Sequence, residues 1–179
     1  MVISSEVDRI LSASPAQLPL SRANLTATLD ARSILAQKST MLFPGTRDSQ
    51  AALAGLLLRA GFWEESHVIA QDISSADGAY WHGIIHRIEP DSSNAGYWFR
   101  RVGRHPVFAE LFKHATEILK NAGPKHWQLK SAWDPFLFIE WCDEAREKGG
   151  RAESAAIEIQ ITEWRLLFNW CATSNQNVQ

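Results

Sequence analysis

Between Pro106 and Ala122 the apolar residues Phe108, Leu111, Phe112, Ala115, Ile118 and Leu119 follow an i, i+3, i+4, i+7 pattern. That interval puts them on one face of an α-helix and on neither face of a strand, so the segment must bury a stripe against a neighbour. Pro106 suits the first turn of such a helix, and Gly123-Pro124 stops it. The same pattern recurs downstream. Asp134 stands at an N-cap, Pro135 at the first helical position, and Gly149-Gly150 beyond the end. Ile157, Ile161, Trp164, Phe168 and Cys171 step by four, three, four and three, which outweighs the strand-like alternation of IEIQI. Residues 2–12 and 22–38 carry weaker helical patterns joined through SPAQLP. No strand run competes, so the expected fold class is all-α.

The middle of the chain reads as two antiparallel helical hairpins, over about residues 48–73 and 76–103. In the first, ALAGLLLRAGFWEESHVIAQDI gives helix, turn at Gly61, and a second helix with Glu64 and Glu65 at its positive end. In the second, YWHGIIHRIEPDSSNAGYWFRRVG repeats the layout, turning at Glu89-Pro90-Asp91 and closing at Gly103. Trp63 and Trp98 occupy related places near the two turns and suit packing between the units. Trp81, Trp133, Trp141, Trp164 and Trp170 fall within apparent helices and are expected to pack helix on helix. A hydrophobic content of 45% supports one core, and the expectation is a single helical domain over 1–179 with a flexible tail at 173–179.

AGFWEESHVIA in the first hairpin and EPDSSNAGYWFRRV in the second resemble tetratricopeptide and Sel1-like repeats over about residues 50–103. The resemblance implies helical pairs whose groove binds a peptide or a partner protein, with no catalytic activity. Gly55 and Gly83 align the two units at an offset of 28 residues, against a tetratricopeptide period of about 34. Two units are also fewer than the roughly three that such arrays need. The expectation is therefore a tetratricopeptide-like core capped by additional helices. The whole chain is also similar to a family that shares an HGxxHRxEPD stretch, a resemblance that implies no mechanism.

Composition removes several function classes. A formal charge of −2 leaves no basic excess for neutralising phosphates, which argues against general nucleic-acid binding. The longest apolar run, AALAGLLLRAGFW, is broken by Arg59, so no membrane span is expected. MVISSEVDRI lacks the basic start and apolar core of a signal peptide, which points to the cytoplasm. Cys142 and Cys171 each follow a tryptophan in an apparent helix and read as reduced core thiols. No G-x-S-x-G elbow, phosphate-binding loop, dinucleotide glycine fingerprint or Cys-x-x-Cys pair occurs.

The chemistry concentrates in HGIIHRIEPD, residues 82–91. At about 100° per residue, Trp81, Ile84, Ile85 and Ile88 form the core stripe, and His82, His86 and Glu89 form a narrower stripe roughly 115° away. Such a flank is half-buried against a neighbouring helix, where histidine pKa values shift and ligands bind. Two histidines four apart can hold one zinc or similar divalent ion, with Glu89 or His105 as a third ligand. Gly83 occupies the place where a hydrolase of the H-E-x-x-H kind carries its general base, which argues against proteolysis by that mechanism. A di-iron bundle needs two Glu-x-x-His pairs, and only Glu64 with His67 is present.

The next helix adds Tyr97, Trp98, Arg100, Arg101, Arg104 and His105 within nine residues. Guanidinium forks match carboxylates and phosphates, while aromatic rings supply flat walls. The expected site thus comprises His82, His86, Arg87, Glu89, Tyr97, Arg101 and His105, binding a small anionic ligand with or without a divalent metal on His82, His86 and Glu89. Two other readings stay open at this point. One is the peptide-binding module implied by the repeat resemblance. The other is a helix flank whose histidines simply hydrogen-bond their neighbours.

Overall fold

A computed structural model describes residues 4–174, so most of the expected tail lies outside the described residues. Every regular element among those residues is helical. In chain order they are α1 (Ser5–Ala13), α2 (Ser39–Leu42), α3 (Ser49–Arg59), α4 (Trp63–Asp72), α5 (Ala76–Ile88), α6 (Ser92–Val102), α7 (Val107–Ala122), α8 (Pro135–Lys148) and α9 (Gly150–Ala172). The all-α expectation holds. No helix among the described residues is long and apolar enough to cross a membrane.

Short polar side chains start most of these helices by accepting backbone N–H groups that have no partner within the first turn. Asp48 accepts from Ala51 at 2.9 Å, Ser75 from Gly78 at 3.3 Å and Asp91 from Asn94 at 3.0 Å. Asp134 accepts from both Phe136 and Leu137 ahead of α8. Trp133, expected inside a helix, instead precedes α8, yet it is buried all the same.

The expected helix over 22–38 is replaced by two 3₁₀ segments, Arg22–Asn24 and Leu29–Ala36. The backbone between them is engaged elsewhere: the Thr28 N–H donates to the Ala60 carbonyl at 2.8 Å, where α3 turns into α4. Gly61 at that turn has φ +84°, and a Cβ there would stand 2.3 Å from the Thr26 carbonyl oxygen. Only glycine lets the two backbones meet so closely.

α3 pairs with α4 and α5 with α6, and α4 lies along α5. α9 packs across α3, α7 and α8. Trp81, Tyr80, Phe99, Trp164 and Phe168 belong to the core around the hairpins, while Leu111, Phe138, Trp141 and Ile159 fill a second one under α7–α9. Two glycines set the spacing of the first core. A Cβ on Gly55 would meet the Trp81 ring at 2.5 Å, and one on Gly83 would meet Phe99 at 2.9 Å. α5 is consequently buried along its whole length from Gly78 to Ile88, including its polar residues.

Candidate metal centre

Because α4 packs on α5, the α5 flank that carries His82 and His86 faces α4 rather than water. His82 is 2% exposed and His86 7%. The residue that meets them is His67, one turn beyond Trp63 on α4. His67 and His82 approach through their Nε2 atoms at 2.9 Å. His67, His82 and His86 each offer a ring nitrogen, and these nitrogens lie within 4.8 Å of one another. The ring centroids are 4.6 Å apart for His67 and His82, 5.2 Å for His67 and His86, and 4.8 Å for His82 and His86.

Aromatic rings fix this cluster from both sides. Trp98, brought over α5 by the close approach at Gly83, stacks on His82 with centroids 3.9 Å apart. Trp63 stacks on His67 at 5.0 Å and nearly parallel. Arg22 covers the outer face of Trp63 at 3.9 Å and ion-pairs with Glu64 and, at 3.7 Å, with Glu89. Planar rings held between planar neighbours lose few rotamers on binding a ligand.

The electrostatics favour neutral imidazoles. Burial, and then the neighbouring His67 and His86, push the pKa of His82 down to about 3. Burial also lowers that of His67, with His86 adding to the effect and Glu89 opposing it. Between the two Nε2 atoms one ring donates and the other accepts, so neither needs to be charged. His86 Nδ1 lies 3.1 Å from a Glu89 carboxylate oxygen. A ring that donates Nδ1–H to a carboxylate keeps Nε2 as its lone-pair nitrogen, the arrangement that second carboxylates enforce on metal-bound histidine. The Nδ1 of His82 is buried without a hydrogen-bond partner.

Of the residues expected at the site, His82 and His86 come together, while Glu89 meets His86 alone and shares a second group with His86 and Asp91 rather than with His82. Arg101 reaches the cluster only through Trp98, its Cζ lying 5.1 Å over that ring, and exposed Tyr97 stands edge-on to the same ring at 5.4 Å. Arg87 points into the core, where it ion-pairs with Glu163 and is fully buried. His105 is directed to Asp77 in the first turn of α5, at 2.8 Å, and accepts the Val107 N–H at 3.2 Å. Both of its ring nitrogens are thereby engaged away from the cluster.

His67 is the residue that sequence reasoning passed over as part of an incomplete Glu-x-x-His pair. The usable signal was its position: Ser66 and Ala70 face the core of α4, so His67 sits on the flank that one hairpin turns toward the next. No family model, curated protein or solved structure matches this chain.

Proposed function

We propose that His67, His82 and His86 bind a divalent transition metal, with Glu89 orienting His86, and that a small anionic ligand occupies the metal's remaining position. The observation that carries this reading is the convergence of three imidazole nitrogens within 4.8 Å in a setting that keeps His67 and His82 unprotonated. Neutral imidazole is the form that binds metal, and an all-imidazole set suits zinc, copper, iron or nickel.

Zinc–nitrogen bonds of about 2.05 Å in a tetrahedron put ligand nitrogens about 3.3 Å apart. The three nitrogens lie within 4.8 Å of one another, and the 2.9 Å between His67 and His82 would have to open toward that spacing. Three protein ligands leave one position open, the pattern of reactive rather than purely structural zinc sites. There a bound metal would polarise an oxygen or anchor an anion. Arg101 and Tyr97 act from behind Trp98, and Arg87 and His105 take no part.

The test is metal titration of untagged protein by calorimetry, with elemental analysis of the purified chain. One zinc per chain is expected for wild type and for His114→Ala, which alters an exposed histidine outside the cluster. His67→Ala and His86→Ala should lose it. Equal binding by all four proteins, or none by wild type, overturns the proposal.

A further inference from the structure

α6 presents its other flank to a second site. Arg100 of α6, the α6–α7 link with Gly103 and Arg104, the first turns of α7 and the segment before α8 enclose a groove of about 990 Å³. Its apolar walls are Phe108 and Phe112 of α7 facing Trp133 and Phe136. Phe136 is 40% exposed, unusual for a phenylalanine beside a core.

The polar lining is one-sided. Arg100, Arg104 and Lys113 line the groove, and no carboxylate does. Lys113 is partly offset by Glu110 at 2.8 Å, whereas Arg100 and Arg104 enter no ion pair among the described residues. The Arg100 guanidinium lies 3.6 Å, and the Phe136 ring 3.9 Å, from where a Cβ on Gly96 would stand. A cation and an aromatic wall thus both stand beside Gly96. Trp133, 6% exposed, forms the buried side of that wall.

We infer that this groove binds a small amphipathic anion, a medium-chain acyl or aryl carboxylate. Its apolar body lies between Phe108, Phe112, Trp133 and Phe136, and its carboxylate reaches Arg100 and Arg104. A concave apolar pocket with a few convergent polar groups is the usual form of a small-molecule site, and guanidinium forks match a carboxylate. The site is separate from the histidine cluster, because Trp98 and Arg101 serve that flank of α6 while Phe99 and Arg100 serve this one.

The experiment is calorimetric titration of the full chain with decanoate below its micelle concentration, alongside decan-1-ol and acetate. Saturable binding of one decanoate per chain is expected, with both controls weaker by about tenfold or more. The Arg100→Ala/Arg104→Ala double variant should lose about tenfold or more in affinity. Ala109→Trp, which fills the groove without changing charge, should abolish binding, and His67→Ala should retain it. Thermal unfolding of each variant confirms that the fold is kept. If decanoate fails to saturate, or binds the arginine double variant as tightly as wild type, the inference is overturned.

Discussion

Replacing Arg87 by Met tests whether this residue serves the fold or a ligand. Its guanidinium ion-pairs with Glu163, donates from Nε to Gln160 at 3.3 Å, and lies 4.4 Å over Phe138. The Tyr80 hydroxyl donates to the other Glu163 oxygen at 3.0 Å, and Gln160 continues the network to the Leu18 and Pro19 carbonyls. Burial alone would lower the pKa of Arg87. The facing Glu163, helped by Cys142 and Tyr80, reverses this and raises it, so the arginine is charged. Arg87→Met leaves Glu163 buried with only a phenol as partner. Removing one member of a buried pair costs about 3–5 kcal/mol, and for a domain of this size each kcal/mol lowers Tm by about 2–4 °C. A fall of about 6–20 °C is therefore expected in thermal unfolding followed by circular dichroism. The double variant Arg87→Met/Glu163→Leu removes both charges and should recover much of the loss. Zinc binding by folded Arg87→Met should match wild type. An unchanged Tm together with lost ligand binding would refute this reasoning and return Arg87 to the site.

Four further outcomes follow from single contacts. Glu89→Gln should weaken zinc binding by about 10–100-fold without abolishing it, because it removes the carboxylate that orients His86 rather than a metal ligand. Gly55→Ala gains about 1 kcal/mol in helix propensity but drives a methyl group to 2.5 Å from Trp81. Overpacking costs about 1–3 kcal/mol, so a lower denaturant midpoint is expected and a higher one would show that the Trp81 ring yields freely. Cys142, buried and with its pKa pushed up to about 12, should resist iodoacetamide at pH 8 until denaturant is added, as mass spectrometry would show. Glu144 is held down at about 2, first by the Trp127 N–H and then by Lys148, with His126 contributing less. A depressed carboxyl stabilises the fold above its ordinary pKa near 4.5 and ceases to as pH falls through about 2, so the Tm values of wild type and Glu144→Gln should converge across that window.

α5 shows what a helical wheel reveals and where it stops. Its core stripe and its histidine flank were both legible from spacing, and so were the boundaries at Asp91 and Gly103 of the helix that follows. Arg87 falls roughly 130° from the histidine stripe on the same wheel, so the wheel alone separates it from His82 and His86. Grouping it with them rested on sequence adjacency. The wheel could not show that both flanks are buried, because amphipathicity marks a helix with one wet face. α5 has none: α4 covers the side of His82 and His86, and α9 supplies Glu163 and Gln160 to the side of Arg87. Both polar flanks had to find partners from segments distant in sequence, His67 on one side and Glu163 on the other.

The two partnerships are of different kinds, and this assigns them different roles. Arg87 and Glu163 neutralise each other, and neighbouring side chains take up all but one guanidinium nitrogen. His67, His82 and His86 are all bases at one spot, none can neutralise another, and His67 and His86 both disfavour a proton on His82. A buried cluster of bases that disfavours protons is the setting in which the proposed metal would stabilise the fold, in exchange for the His67–His82 hydrogen bond. That asymmetry is why α5 combines a charge-balanced structural network on one flank with, on the other, the histidine cluster proposed to hold a metal.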